Sequence, residues 1–391
     1  MRPRILHVSQ TTGGVETSII LLLRHFDATR FEHHLACPPG STLEVRAREL
    51  GVRVFPVKMV RGPNPVRDVA ALITLIRLIR REEYAIVHGH SAKGGFLARL
   101  AARLGGARRA FYHPRGFSYM SQRGLARAFF LRLERWAVRW TDLAVAASES
   151  ERRRAIDEVR FPPSRVVRVF NSIDLTEVDG IRPTVFGTSG PVVLTAGRLA
   201  YQKNPEMFVR VATLVVRERP DARFVWVGGG FAGPLEKRIR KMIAKARLED
   251  RVEILPWVTK QETLAAIAAC EVFVLTSRFE ALGNVTMEAM MLGKPAVVAD
   301  ADGSRDLVES ETNGFVVALD EDQAMAKGIL ELLNDQALAT RMGQAGRRRV
   351  ERDFDIRRNV RLLENVYGGA LADDARDVSG AVTVGEIHNE V

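Results

Sequence analysis

Two glutamates, Glu280 and Glu288, stand eight residues apart in the stretch SRFEALGNVTMEAMMLGKP (277–295), with Gly283-Asn284 between them. A Gly-Asn pair between two apolar runs marks a strand-to-helix turn. The first turn of a helix carries amide donors without intrahelical acceptors, at the positive end of the helix dipole. That is a seat for an anion, a phosphate above all. With no side chain at Gly283, the anion can approach the backbone closely. Glu288, about one turn into the helix, suits ribose hydroxyls as acidic residues do in other nucleotide folds, and Glu280 lies where a sugar beyond the phosphate would sit. Taken alone, the two carboxylates fit a plain capped helix equally well.

A second element lies upstream, TAGRLAYQKNPEMF (195–208). Arg198 follows a strand and Lys203 precedes a helix, so both can reach one diphosphate. Positioned cations neutralise charge that develops on a leaving pyrophosphate. The third element is TTGGVET (11–17), where Gly13 and Gly14 join the first strand to the first helix. In a doubly wound domain that turn opens on the crevice at the strand C-termini. Two further groups suggest metal. Asp300-Ala301-Asp302 is a D-x-D string, and it reads as a solvated loop after a strand. His88 and His90 alternate along a strand end, with no third ligand nearby in the sequence.

These residues need a scaffold of alternating strands and helices. The first half offers strands at 5–9, 34–37, 52–57, 85–88, 110–113 and 143–147, with helical patterns at 16–26, 66–81 and 93–104. The second half offers strands at 192–196, 224–227, 253–255, 272–275, 296–299 and 315–317, with helices at 204–217 and from Gly283-Asn284 to Met291. Such alternation predicts parallel βαβ units. Periodicity breaks near 175–190, which marks an interdomain linker. The expected domains are therefore 1–178 and 190–354, with a closing segment at 355–367 and a small, polar, acidic tail at 368–391 expected to be disordered. No repeat of solenoid period stands out.

Composition narrows the class. A hydrophobic fraction of 46% over 391 residues suits a soluble protein of two domains. Cys37 and Cys270 sit among apolar neighbours and read as buried free thiols. Neither a signal peptide nor a membrane-spanning run stands out, so a cytoplasmic protein is expected. The net charge of +11 is uneven, with 30 Lys and Arg against 14 Asp and Glu in residues 1–170. One half should therefore face something anionic. The basic, aromatic segment 121–140, with Arg127, Arg132, Arg135 and Arg139 among Phe129, Phe130, Trp136 and Trp140, fits either a membrane interface or a packed amphipathic helix.

Together these elements resemble the retaining GT-B glycosyltransferases of family 4, over roughly residues 4–366. The Glu280-x7-Glu288 motif is the most specific part. VHGHSAKGG (87–95), VAASESE (145–151), FNSID (170–174), GRLAYQKN (197–204) and DGSRDLV (302–308) with Asn313-Gly314 add to it. The resemblance implies an α/β GT-B fold, with two Rossmann-like domains facing each other across a cleft. It also implies a donor nucleotide sugar in the C-terminal domain. Arg198 and Lys203 would grip the diphosphate, Glu288 the ribose and Glu280 the sugar. Gly197 and the amides of Leu282, Gly283 and Asn284 would add donor contacts, and the base would lie by Trp257 and Val258. The N-terminal domain would supply Gly13 and Gly14 to the donor, and His90, Lys93 and Ser118 on the acceptor side. No metal is implied, because the cations and the helix start replace it.

The sequence departs from the family in three places. Tyr112-His113-Pro114-Arg115-Gly116 puts Arg115 where members carry a histidine, with His113 two positions earlier and expected on the opposite side of an extended chain. Ala281 and Pro256 stand where glycines are common. The implied activity is transfer of a sugar from a nucleoside diphosphate, UDP favoured over GDP, to a glycan or polyprenyl-diphosphate-linked acceptor, with an anionic membrane surface as a candidate partner. The enzyme class would be hexosyl- or N-acetylhexosaminyl-type. Competing readings are a GT-B-like epimerase and a basic nucleic-acid or membrane-binding module. No nucleic-acid recognition motif supports the latter, and no G-x-G-x-x-G supports a dehydrogenase.

Overall fold

A computed structural model describes residues 2–10, 13–60, 62–184, 186, 190–230 and 233–372. Seven strands form a first sheet: β1 (Arg4–Val8), β2 (Glu32–Cys37), β3 (Arg53–Pro56), β4 (Ile86–His90), β5 (Arg109–His113), β6 (Leu143–Ala146) and β7 (Val166–Arg168). Their order is β3-β2-β1-β4-β5-β6-β7, and every pairing is parallel. Six strands form a second sheet: β8 (Val192–Ala196), β9 (Arg223–Gly229), β10 (Val252–Pro256), β11 (Val272–Leu275), β12 (Ala296–Ala299) and β13 (Gly314–Val317). Their order is β10-β9-β8-β11-β12-β13, again all parallel. Both sheets follow the doubly wound plan, whose chain order reverses between the first and fourth strands.

The strands are short runs of Val, Ile, Leu and Ala because parallel sheets are covered on both faces. β4, β8, β11 and β12 are buried at every residue. In the second unit the core gathers Phe208, Phe224 and Trp226 with Met207, Val274 and Ile329. Cys37 and Cys270 are buried free thiols, as expected, and burial pushes Cys37 up to about 11 and Cys270 up to about 12. Every expected strand is present. β7 was not expected, since three residues carry too little pattern to separate a strand from a loop.

The chain divides into two compact units, one running to Ser172 and resuming at Ile356, the other holding Ile173–Asp355. The crossing thus falls earlier than the break in periodicity. Residues 173–184 are tied to the second unit by backbone bonds, Ile173 N–H to the Phe354 carbonyl (3.0 Å) and Thr184 N–H to the Ala265 carbonyl (3.0 Å). Such bonds leave no trace in hydropathy. The closing helix, Ile356–Ala372, buries Ile356, Val360, Leu363 and Tyr367 against Leu21, Leu22, Phe31 and Phe111. The buried Glu364 carboxylate accepts the Asp27 N–H at 2.6 Å. The helix runs through 368–372, so the expected disordered tail cannot begin at Gly368. Residues 373–391 lie outside the described ones.

The helix Ala92–Gly105 lies close over β5, and Gly95 makes that possible. A Cβ on Gly95 would collide with the ring of Tyr112. That ring cannot swing away, because it is fully buried, the Arg99 guanidinium stacks on it at 3.7 Å and its hydroxyl donates to Glu134 at 3.0 Å. Gly95→Val is therefore expected to cost about 1–3 kcal/mol through overpacking, measurable as a shifted midpoint in urea unfolding with an unchanged slope.

Candidate active site

In the second unit the switch point lies between β8 and β11, and the predicted donor residues sit on the loops that leave those two strands. The β8 loop carries Gly197, Arg198 and Lys203, and the β11 loop carries Glu280. Polar bonds join the loops. Thr276 Oγ1 donates to the carbonyls of Lys203 (2.8 Å) and Asn204 (3.1 Å), Arg278 N–H donates to the Gln202 carbonyl (2.7 Å), and Gln202 Nε2 donates to the Phe279 carbonyl (3.0 Å). Arg278 also stacks on Tyr201 at 4.3 Å. Asn204, fully buried in a left-handed turn at φ 51°, starts the helix Pro205–Glu218.

This stapling holds the central pair. Lys203 Nζ donates to Glu280 Oε1 at 2.6 Å, and Ser277 Oγ donates to the same oxygen at 2.8 Å. Glu280 is 8% exposed. Gly197, at φ 139°, leaves room for the lysine stem, since a Cβ there would lie 3.0 Å from Lys203 Cε. Trp226 Nε1 fixes the Gly197 carbonyl at 2.9 Å. Arg198 is exposed and has no ion-pair partner among the described residues.

The helix Asn284–Met291 begins as expected, with Gly283 at its N-terminus and Leu282 buried just before it. Thr286 N–H and Met287 N–H both donate to the Gly283 carbonyl, at 2.9 and 3.1 Å. The Thr286 hydroxyl is fully buried with no hydrogen-bond partner among the described residues. Gly303 packs on the Ala281 carbonyl, and its N–H donates to the Glu280 carbonyl at 3.1 Å. Glu288, 5% exposed, pairs with Lys260 Nζ, a partner the sequence reading missed. Burial opposes the charge on Lys260, yet the Glu288 and Glu177 carboxylates prevail and raise its pKa above the ordinary value. A lysine behind a Thr259–Glu262 capping box is the only signal that marked it. Trp257 and Val258 lie just beyond β10, and Trp257 is exposed. In the D-x-D string, Asp300 is bridged by Arg305 at 2.7 Å.

In the first unit, Gly13, at φ 81°, caps the helix Gly14–His25. Thr11 and Thr12 lie outside the described residues. Lys93 is bound to Asp68 at 2.7 Å, and Ser118 opens a short 3₁₀ turn, its carbonyl accepting from Ser121. His113 and Arg115 do not lie on opposite sides. Residues two apart in an extended chain share a face rather than oppose one another, and both residues line one cavity, with Arg115 itself left-handed at φ 52°. His88 and His90 do have a third histidine close by. The pairing of β1 with β4 sets His7 beside His88, and one ring nitrogen from each of the three lies within 4.8 Å of the others. Strand order, which a linear reading does not give, brings His7 there. Its Nδ1 is 3.0 Å from His90 Nε2.

Two doubly wound units, with cations, a helix start and two carboxylates on the loops of the second, form the arrangement that the comparisons with known proteins match. The solved structure of a glycosyltransferase from Rickettsia africae superposes with a TM-score of 0.80 at 17% identity, covering 95% of this chain and all of that one. HepE of Anabaena, solved in complex with UDP-glucose, gives 0.75 at 20% identity over 92% of this chain and 98% of that one. The description "Glycosyltransferase Family 4" matches residues 12–177, and "Glycosyl transferases group 1" matches residues 181–349. The alpha-D-kanosaminyltransferase of Streptomyces kanamyceticus is 31% identical over 78% of this chain and 84% of its own length. The UDP-Gal:alpha-D-GlcNAc-diphosphoundecaprenol alpha-1,3-galactosyltransferase of Escherichia coli is 26% identical over 86% and 89%. The chain belongs to glycosyltransferase family 4, among the group 1 glycosyltransferases.

The buried histidines make the first unit acid-sensitive. Burial lowers His33 and His88 to about 3, and it holds His7, His90 and His113 well below the ordinary 6.5. The unfolded chain therefore binds more protons than the folded one between pH 6.5 and about 3, and stability falls as pH drops through that window. His33 and His88, the two lowered to about 3, are each expected to cost about 2 kcal/mol between pH 7 and pH 5. Denaturant unfolding at the two pH values checks this, and His88→Gln should narrow the difference by about that amount.

Proposed function

We propose that this glycosyltransferase takes its sugar from a nucleoside diphosphate, UDP favoured over GDP, and transfers it with retained anomeric configuration to a hydroxyl of a glycan or lipid-linked acceptor. The observation that carries the reading is the Lys203–Glu280 pair at the β8–β11 switch point, beside the helix that starts at Gly283. A diphosphate suits the Lys203 ammonium, the exposed Arg198 guanidinium and the amides of the helix start. Glu288 is proposed for the ribose, Glu280 for the sugar, and Trp257 with Val258 for the base. Gly13 and Gly14 are proposed on the donor side, and His90, Lys93 and Ser118 on the acceptor side. The named complex of HepE with UDP-glucose and the printed activity of the Escherichia coli relative support a UDP-sugar donor and a hexosyl or N-acetylhexosaminyl group. That relative's name includes a diphosphoundecaprenol, which supports a lipid-linked acceptor.

In the proposed reaction the bond from the anomeric carbon to the diphosphate oxygen breaks. The acceptor oxygen bonds to the same carbon from the leaving-group face and passes its proton to the departing phosphate oxygen. No protein nucleophile is required. Lys203, Arg198 and the amides at Gly283 and Asn284 stabilise the charge on the leaving diphosphate, so no metal is assigned to the step.

The acceptor reading favours an anionic membrane surface. The helix Gly124–Ala137 leaves Leu125 90%, Phe129 57% and Trp136 47% exposed, with Arg127, Arg132 and Arg135 exposed on the same helix. Apolar side chains interleaved with arginines suit an anionic headgroup layer. Among the described residues no helix is long and apolar enough to cross a membrane.

Two measurements test these readings. Lys203→Ala should lower kcat/KM for the UDP-sugar by about 10- to 150-fold, the loss of one charged contact of about 1.5–3 kcal/mol in the transition state. Unchanged turnover would remove the residue from the mechanism. Co-sedimentation with vesicles containing anionic lipid should weaken when Arg132 and Arg135 are both changed to Glu, and equal binding by that variant would end the membrane reading.

A further inference from the structure

The Lys260 ammonium is shared by two carboxylates. Its Nζ donates to Glu288 Oε1 and lies 3.6 Å from Glu177 Oε2. Lys260 opens the helix Lys260–Ala268, whose cap is complete without it: Thr259 Oγ1 accepts the Glu262 N–H at 3.2 Å, and Glu262 Oε2 accepts the Thr259 N–H at 2.7 Å. The first turn of a helix disfavours a cation, because the helix dipole is positive there. The charge of Lys260 therefore does nothing for its own helix. Burial opposes that charge too, yet the two acids raise its pKa above the ordinary lysine value.

Each acid comes from a different part of the second unit. Glu288 is buried one turn into the helix Asn284–Met291. Glu177 belongs to the short turn Leu175–Val178, where Asp174 accepts the Thr176 N–H at 3.0 Å and the Thr176 hydroxyl at 2.7 Å. Charged groups on the elements around the Glu288 helix have partners of their own. Glu262 is spent on Thr259, Lys203 on Glu280, Arg305 on Asp300, Arg347 on Glu351, Arg349 on Glu309 and Arg352 on Asp353. Lys260 is thus the one ion-pair partner of Glu288 among the described residues.

The place of Lys260 along the chain gives this bond a consequence. Trp257 and Val258, proposed for the base, stand just before its cap residue Thr259, on the loop that leaves β10. Base and ribose are covalently joined, so the elements that meet them must keep a fixed spacing. The Lys260–Glu288 bond spans those two elements. It also supplies a counter-charge. A buried carboxylate without a partner takes up a proton more readily, and a protonated carboxyl has spent part of its capacity to accept. An ionised carboxylate has about four acceptor sites, so Lys260 leaves room for two ribose hydroxyls.

We infer that Lys260 is a positioning residue of the transfer reaction: it ties the loop of Trp257 and Val258 to Glu288 and keeps that carboxylate charged for the ribose hydroxyls of the donor. The inference rests on the donor reading above, in which Glu288 holds the ribose. Lys260 acts through Glu288, and Glu177 is its second anchor.

The test compares UDP with 2′,3′-dideoxy-UDP by calorimetric titration of the full chain at about pH 6 and about pH 8, a span in which buried carboxyls without a partner titrate. The ratio of the two affinities reads the ribose hydroxyls, because the diphosphate is the same in both ligands. The wild type is expected to prefer UDP about tenfold or more at both pH values, the worth of a hydrogen bond to a charged group. In Lys260→Met the preference should vanish at the lower pH and return at the higher, where Glu288 sheds its proton. Lys260→Arg should behave as the wild type. Lys260→Gln, neutral but still a donor, gives the same reading if Lys260→Met does not fold. A lysine that only props up the fold would weaken both ligands together and leave the ratio independent of pH. A pH-independent ratio in the neutral variants, high or low, would therefore overturn the inference. Glu288→Gln separates the two readings and should lose the preference at both pH values. If it keeps the preference, the ribose reading fails and the inference with it. If it loses the preference while the neutral Lys260 variants match the wild type, the inference alone fails.

Discussion

The second unit is organised around one ion pair, the Lys203 ammonium against the Glu280 carboxylate. Both belong to loops, and a loop side chain is useful only when the backbone beneath it is fixed. Here that backbone is fixed by the parallel pairing of β8 with β11 and by the bonds of Thr276, Gln202 and Arg278 across the two loops. The buried carboxylate of Glu280 would be costly without its lysine, since a buried charge stripped of its partner is among the more destabilising changes a protein can suffer. On the proposed reading, a diphosphate that takes Lys203 would have to leave Glu280 another partner, and sugar hydroxyls would be suitable ones.

The same logic holds one helix turn on. Lys260 neutralises Glu288 and leans on Glu177 as well. Two carboxylates that the sequence offers as a motif are each met in the fold by a lysine. Each carboxylate is thus neutralised within the fold, which is what lets both stay buried and ionised.

How much of this the sequence disclosed follows from the range over which each signal acts. Glu280, Gly283 and Glu288 were legible because a strand, a turn and a helix start are local events within a dozen residues. Lys203 was legible for the same reason, as the residue before Asn204-Pro205 opens a helix. Lys260 was not, because its partner Glu288 comes from a later βα unit and only sheet order brings them together. His7 escaped likewise, its neighbour His88 lying on the strand that pairs with β1. The expected opposition of His113 and Arg115 failed on the period of the chain itself, since alternation puts residues two apart on the same side. The helix that runs on to Ala372 was hidden by the small, polar, acidic composition from Gly368 onward, although Tyr367 and Ala370 still bury their side chains.

The two units handle charge in opposite ways. In the second, Glu280 and Glu288 are each matched by a lysine, while Arg198 is left without an ion-pair partner among the described residues. In the first, five histidines crowd one buried region as neutral rings, with His88 stacked on His90 at 4.3 Å, and the one formal charge among them, Arg115, has no acid bound to it. Neutral imidazoles suit that place because each can donate and accept at once without adding charge, as along His90, His7 and His33. The match is incomplete, since His33 Nε2, His88 Nε2 and both ring nitrogens of His113 find no partner among the described residues. Arg115 is held by Asn171 and His90, and the Glu151 carboxylate supports its charge through space against the burial that lowers it. Neutral rings are therefore what allows so many polar side chains to be buried together, because burial opposes the charged form of each.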